Sequence, residues 1–384
     1  MPGPAYSIGL RDHDGTTLGD LEGAQLQSVD WSVSGIGNID FLMKQTNPRI
    51  ADPQLRRHEV WLEIEGWPRP LEVPWAGPLL TAQGTPGQVE FGGQSIEYYL
   101  TKRFIDFNSL YYDGATLNPD GTVTDPPTGF PGYEQVDIAW GLVQYAQGIP
   151  LMGITLANGN KSFRVTGGTL TPSGITRLRQ YLRVDHKNIM DCLSEFPTLV
   201  DYVSGDPNGL DFQILQWRDG HRTFETFYPL RGSLQRNLHL EYGRNLSDYQ
   251  IKEDATNFCD RVICTGGSDG QVKVENEYHD DVTIAIYGED LAITTDDNEM
   301  DPTELGAVAR SFVQARNHVI MDPTLNAARA PVELLGVLQP GDTVPVTIVD
   351  GRYNIRAAIY RIKTIKWQVV PNYLQLTFFP MLAG

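Results

Sequence analysis

Hydrophobic and polar residues alternate in short stretches through the first hundred residues, and each stretch ends at a turn signal. Val29-Asp30-Trp31-Ser32-Val33, Ile39-Asp40-Phe41 and Val60-Trp61-Leu62-Glu63-Ile64-Glu65 repeat with a period of two, the pattern of a strand buried on one face. Tyr6–Leu10, Leu79–Thr81 and Val89–Phe91 add three more. Asp12-His13-Asp14-Gly15 and Gln83-Gly84-Thr85-Pro86-Gly87 supply hairpin turns. Short strands at this spacing predict a small barrel or sandwich over residues 1–107. The stretch from Gln88 to Phe107 closes it. Val89 and Phe91 end a strand, Gly92-Gly93 lets the backbone turn, and Ser95 is the expected cap of a short helix. Ile96, Tyr99 and Leu100 share one face of that helix, and the chain re-extends at Arg103–Ile105.

The pattern changes after Phe107. Asp113-Gly114, Asn118-Pro119-Asp120-Gly121 and Pro126-Pro127-Thr128-Gly129-Phe130-Pro131-Gly132 read as loop. Glu134–Gln147 then carries Val136, Ala139, Trp140 and Val143 at helical spacing, with Gly148 and Pro150 as stops. A second helix is expected over Lys187–Phe196, on Ile189, Cys192, Leu193 and Phe196. Short strands are expected at Phe163–Thr166, Leu199–Val203, Phe212–Trp217 and Thr223–Phe227. Residues 108–230 therefore read as an inserted α+β domain.

Extended structure returns with a strand ending at Tyr242, a turn at Gly243, a new strand near Tyr249, and Phe258–Thr265 closed by Gly266-Gly267. Val272–Val274 and Val282–Tyr287 are also expected to be extended. Asp301-Pro302-Thr303-Glu304 opens a helix over 302–319, with Asp as cap, Pro first and Glu third. Leu305, Val308, Ala309, Phe312 and Val313 form its buried face. The end is again β. A strand begins at Leu338-Gln339-Pro340-Gly341-Asp342-Thr343-Val344 and runs to Val349. It turns at Asp350-Gly351, and Tyr360–Val369 and Leu374–Phe378 flank Pro371-Asn372. The fold class is thus α+β and β-rich: β over 1–107, mixed over 108–230, β over 231–265 plus 335–384, and mixed over 266–334.

Composition narrows the function. With 384 residues and 41% hydrophobic content, the chain can bury several cores. Its 48 acidic and 30 basic residues leave a net charge of −18. A field of that sign repels nucleic acid and anionic membrane, though DNA that must slide past without sticking is compatible with it. No apolar run reaches the length of about 18 residues needed to span a bilayer, and the start shows no secretory signal pattern. Three cysteines, Cys192, Cys259 and Cys264, are too few and too oddly numbered for a disulfide framework and fit a reducing cytoplasm.

Candidate chemistry is sparse. Asp12-His13-Asp14 and His279-Asp280-Asp281 offer metal-ligand types, yet acidic turns need no metal. Asp296-Asp297-Asn298-Glu299-Met300-Asp301 lacks the central Gly and terminal Glu of an EF-hand loop. There is no Gly-x-Ser-x-Gly, phosphate-binding loop or His-Glu-x-x-His. Cys192 falls on an apolar helix face. The seven tryptophans, Trp31, Trp61, Trp67, Trp75, Trp140, Trp217 and Trp367, sit mostly in alternating strands, so core is their expected place. No catalytic, metal or cofactor-binding residue is assigned, and the chain reads as no enzyme.

Three stretches carry a resemblance. They are Phe91-Gly92-Gly93 to Arg103, Tyr228-Pro229-Leu230-Arg231-Gly232 leading to Leu240–Leu246, and Leu338–Asp342 followed by Tyr360-Arg361-Ile362. In this order the chain resembles minor tail proteins of long-tailed actinobacterial bacteriophages, the ReqiPepy-type tail family, which is similar to the baseplate hub proteins of other tailed phages. The resemblance implies two tail-tube-like β-barrel domains, residues 1–107 and residues 231–265 with 335–384, and two inserted mixed domains, 108–230 and 266–334. It implies a homotrimer whose six barrels continue the tail tube at the virion tail tip. Other tail proteins are the implied partners: the distal tail protein, the tape measure protein, and tip or fibre proteins. DNA passes transiently through the lumen, no cofactor is needed, and the particle is assembled in the host cytoplasm without stable membrane insertion. Two other classes fit the sequence: a tail-associated cell-wall hydrolase, and a carbohydrate-binding receptor module using the 108–132 loop.

Overall fold

A computed structural model describes residues 4–12, 16–105, 109–112, 116–117, 123–124, 132–147, 165–177, 179–198, 209–268, 273–296, 302–314, 316–317, 320–327, 334–379 and 381–382. The chain divides into two compact units. The first comprises Met1–Thr198, Gly209–Asp248 and Asn326–Leu376; the second comprises Leu199–Asn208, Tyr249–Leu325 and Thr377–Gly384.

In the first unit the alternating stretches form strands β1 (Tyr6–Asp12), β2 (Thr17–Asp20), β3 (Gln25–Ser32), β4 (Asn38–Lys44), β5 (His58–Ile64), β6 (Trp75–Thr85) and β7 (Gln88–Gln94). They pair antiparallel in the order β2-β1-β5-β6-β7-β4-β3. Ile8, Leu10, Phe41, Val60, Leu62 and Leu79 are buried, as the period of two requires. A short helix α1 (Tyr98–Thr101) follows β7. Its cap position is Glu97, without a side-chain cap bond, so Ser95 does not cap it. Ser95 Oγ instead accepts from Gly37 N at 3.0 Å and donates to Glu97 at 2.6 Å. A tertiary contact has taken the hydroxyl that local propensity assigned to the helix end.

Further along, α2 (Gln135–Ala146) is capped by the Glu134 carboxylate, which accepts from Val136 N at 2.7 Å. The strand β8 (Thr166–Leu170), helix α3 (Ile189–Ser194), the hairpin of β9 (Asp211–Gln216) and β10 (Arg222–Phe227), and the short β11 (Leu240–Glu241) complete this part of the unit. β8 runs parallel to β10, and β9 antiparallel to it. Ile189, Cys192, Leu193 and Phe196 are all buried, as their spacing predicts. The strand expected at Leu199–Val203 and most of the 108–132 loop lie outside the described residues.

The second unit holds β12 (Arg261–Ser268), β13 (Lys273–His279), α4 (Asp281–Tyr287), β14 (Leu291–Asp296) and α5 (Pro302–Gln314). β12 is the central strand, antiparallel to β13 and parallel to β14. The core gathers Val262 and Cys264 from β12 with Leu305, Ala309 and Val313 from α5. Leu305, Ala309 and Val313 are the predicted stripe. Val282–Tyr287 is helix, not the expected extended segment. Asp280 accepts from Val282 N at 3.0 Å and Thr283 N at 3.3 Å, and this cap outweighs the β propensity of Val282 and Ile284. The expected Asp301 cap lies outside the described residues.

The chain then returns to the first unit with β15 (Thr343–Asp350), β16 (Tyr353–Gln368) and β17 (Tyr373–Phe378), of which the residues up to Leu376 belong to that unit. β16 is a strand of 16 residues that serves two neighbours. Tyr353–Arg361 pairs with β15, while Thr364–Gln368 pairs with Ser28–Ser32 of β3. The C-terminal strands therefore extend the N-terminal sheet through one shared strand, and no pairing among the described residues closes the path into a barrel.

Candidate functional site

The three stretches that carry the resemblance meet at one buried polar joint inside the first unit. The joint begins with two glycines. Gly232 and Gly341 have φ of +105° and +99°, a region that costs other L-residues strain. A Cβ on Gly232 would collide with the Gly341 carbonyl, and one on Gly341 would sit 2.7 Å from the Arg231 carbonyl oxygen. Only glycine lets the two backbones approach this closely. Thr343 N then donates to Ser233 O at 3.0 Å, Gly341 N to Ile362 O at 2.7 Å, and Ile362 N to Asp342 O at 2.8 Å. The Asp342 carboxylate accepts from Ser233 N (2.8 Å), Gln339 N (3.0 Å) and Gln235 Nε2 (3.0 Å). Arg231-Gly232 and Gly341-Asp342, more than a hundred positions apart, are thus locked together by backbone and carboxylate.

Charged side chains are set around that lock. Asp211, fully buried at the start of β9, accepts from Arg231 N at 2.7 Å and pairs with the Arg361 guanidinium. Its other oxygen accepts from Ser34 Oγ at 3.1 Å. The Arg231 side chain donates to Gln339 Oε1 at 2.8 Å. Burial, and then the neighbouring Arg69 charge, pull the Arg231 pKa down to about 10. Glu97 accepts from Ile214 N at 3.1 Å, which ties the glycine-turn stretch to β9. Burial raises the Glu97 pKa, with the Ser95 and Ile214 hydrogen bonds and the Arg231 charge acting against the shift. A cavity of about 90 Å³ opens beside Glu97, Glu72, Arg231 and the stacked Trp31–Trp67 pair. It has room for roughly three waters.

A second ionic pair lies in the same unit. Arg222 and Glu59 are buried together, Tyr99 Oη donates to Glu59 at 2.7 Å, and Arg222 Nε donates to Gln216 Oε1 at 2.7 Å. These carboxylates are hydrogen-bonded on several sides and lie in the interior. That arrangement holds chain segments in register. It brings neither a nucleophile with its base nor two opposed carboxyls to an open cleft.

The residues weighed for chemistry are dispersed. Asp12 accepts from Thr16 N at 2.8 Å and closes the β1–β2 hairpin; His13 and Asp14 lie outside the described residues. His279 and Asp281 form an exposed pair at 3.5 Å, while Asp280 is occupied as a helix cap. Residues 297–301 are outside the described residues. Among the described residues, no three metal-ligating side chains cluster. Cys192 is buried, and burial followed by the Glu195 charge pushes its thiol up to about 12, so little thiolate forms. Trp75 and Trp367 are core residues as expected, whereas Trp31, Trp61, Trp67, Trp140 and Trp217 are half-buried. No described helix is long and apolar enough to cross a membrane.

Asp211, Arg222 and Glu59 were not singled out by the sequence. Each is one charge among many, and only the tertiary fold sets Glu59 opposite Arg222 or Asp211 opposite Arg361.

No protein-family model matches the chain, and no curated protein matches it in sequence. Solved structures do match. A 43 kDa tail protein of prophage MuSo2 from Shewanella oneidensis aligns over 97% of this chain and 98% of its own, with TM-score 0.60 and 11% identity. The tail protein from Neisseria meningitidis MC58 aligns over 97% and 96%, with TM-score 0.58 and 13% identity. Prophage tail protein gp18 from Listeria monocytogenes EGD-e aligns over 97% and 94%, with TM-score 0.55 and 11% identity. The likeness is one of fold, and it spans nearly the whole length of each protein.

Proposed function

We propose that this chain is a structural protein of a phage tail tip, a baseplate hub subunit that continues and closes the tail tube. The observation that carries the reading is the end-to-end likeness of fold to the Shewanella tail protein, 97% of this chain against 98% of that one. A shared fold does not by itself fix function, but among the described residues the buried carboxylates hold chain segments together rather than line an open cleft. In this reading residues 1–107 and residues 231–265 with 335–384 are two tube-type modules, with 108–230 and 266–334 inserted. Three copies close a ring by heterologous contacts, and sister copies pair exposed strand edges. Its neighbours are the distal tail, tape measure and tip or fibre proteins of a long-tailed phage of the actinobacterial ReqiPepy type. DNA passes through the lumen, and the −18 charge of each subunit keeps the duplex from sticking.

Imaging decides it. Purified chain, alone and mixed with its phage's distal tail protein, is expected to give ring-shaped particles with threefold symmetry in negative stain. Light scattering should give three times the 42.8 kDa chain mass. A monomer under both conditions, combined with clearing of cell-wall substrate in a zymogram, would overturn the structural reading in favour of a hydrolase.

A further inference from the structure

We propose that the open face of the second unit's sheet binds an extended, basic segment of a different protein, with apolar side chains at alternate positions. One side of the β13-β12-β14 sheet is covered by α5. Val262 and Cys264 face α5, so Ile263, Leu291 and Ile293, at the alternate positions, lie on the other side. Leu291 and Ile293 of β14 are 49% and 70% exposed, and Ile293 lies directly beside Ile263 of the central strand. Just before β14, α4 leaves Val282, Ile286 and Tyr287 at 72%, 67% and 66% exposure. Leu291 and Ile293, two positions apart on β14, share one face of the sheet, and Val282, Ile286 and Tyr287 add exposed apolar surface in the preceding helix. Among the described residues β14 pairs only with β12, so its outer edge offers a row of backbone donors and acceptors. An edge of this kind takes an added strand.

Charge selects the occupant. Residues 273–296 contain Glu275, Glu277, Asp280, Asp281, Glu289, Asp290 and Asp296, with Lys273 as the single Lys or Arg. The Arg261 guanidinium is already bridged to both Glu277 and Glu289 at 2.9 Å. Glu277 and Glu275 of β13 lie beside Ile263 and Thr265 of β12 on this side of the sheet, so an acidic segment would meet like charge at this rim. A segment that sets lysines or arginines between its apolar residues meets the rim with opposite charge and the patch with its own apolar face.

The test uses the full chain and two labelled probe peptides, one alternating Lys with Val and one alternating Glu with Val, read by fluorescence anisotropy. The Lys–Val peptide is expected to bind, to weaken about tenfold or more with Ile293→Asp, and to weaken as salt is raised. The Glu–Val peptide is expected not to bind. Val282→Asp gives a second variant on α4, and thermal melts confirm that both exposed-site variants stay folded. Equal binding of the two peptides, no binding of the Lys–Val peptide, or binding unchanged in both variants would overturn the proposal. So would a concentration-dependent dimer in sedimentation velocity that Ile293→Asp abolishes, since the occupant would then be a second copy.

Discussion

Glu59 and Arg222 lie 163 positions apart in the chain and meet as an ion pair with 1% and 4% of their side chains exposed. Glu59 sits on β5 and Arg222 on β10, so the pair helps to fix the β9–β10 hairpin to the N-terminal sheet. Two charges removed from water in this way depend on each other. Neither has bulk solvent to fall back on if its partner is lost.

Glu59→Met, or Arg222→Met, is therefore expected to lower stability by about 3–5 kcal/mol, because each leaves a buried charge uncompensated. The double replacement Glu59→Met with Arg222→Met should recover much of the loss. Urea titrations of the four proteins form the cycle. Additive losses would show that the pair is not coupled.

The buried carboxyl of Glu97 makes stability depend on pH with a definite sign. Burial raises its pKa above the ordinary value of 4.5, so between those two values the folded state holds a proton that the unfolded state has released. Stability from this group is then complete below the unfolded value and is lost as pH rises through the folded one. Glu72, 6% exposed, is shifted the same way by burial, opposed by Arg69. The urea midpoint should fall as pH rises from about 4.5 through the raised folded-state pKa, and Glu97→Gln should flatten that fall. Equal slopes in the two proteins would refute the assignment.

Much of the fold is legible in the sequence because burial on one face leaves a periodic trace. The alternation at Val60–Glu65 and the stripe Val136, Ala139 and Val143 mark elements that the structure contains. Val282–Tyr287 misled because its residues favour strand and its determinant, Asp280, acts from outside the segment. Ser95 misled for a similar reason: its hydroxyl serves Gly37, 58 positions away. The joint was half legible. Arg231, Gly232, Gly341 and Asp342 all fall within the stretches that carried the resemblance. Asp211, which holds Arg231 and Arg361 together, bears no local mark, since its role is defined by residues up to 177 positions distant. Likewise, period-two patterning finds both β3 and β16 but cannot say that they are neighbours.

Asp280 is expected to govern the order of α4 alone. Its carboxylate caps Val282 and Thr283 and also accepts from Asn317 Nδ2 at 2.8 Å. Asp280→Ala should cost about 1 kcal/mol and speed amide exchange over residues 281–287. The hydrogen bonds from Thr283 and then Asn317 hold the carboxyl below its ordinary 3.8. The capping contribution is therefore present above that value and fades as pH drops through the folded one. Unchanged exchange in α4 would show that the helix does not rest on this cap.

The close approach of Gly232 to Gly341 separates two reasons for glycine. Gly243 also has positive φ, +83°, but a Cβ there meets nothing within 4 Å. Gly243→Ala should therefore cost only the left-handed strain, about 1–2 kcal/mol. Gly232→Ala carries the same strain and in addition drives a methyl into the Gly341 carbonyl, carbon and following nitrogen, none of which can rotate away. Relief requires the Arg231–Ser233 turn to move off the Gly341-Asp342 turn, which breaks the Ser233 N bond to Asp342 and displaces Arg231 from Asp211. A loss of at least about 3 kcal/mol is expected, in the range of severe single substitutions. Denaturant titration of the two variants side by side gives the comparison. If Gly232→Ala proved no worse than Gly243→Ala, the two turns would not be held by backbone contact, and the joint would rest on its charged side chains alone.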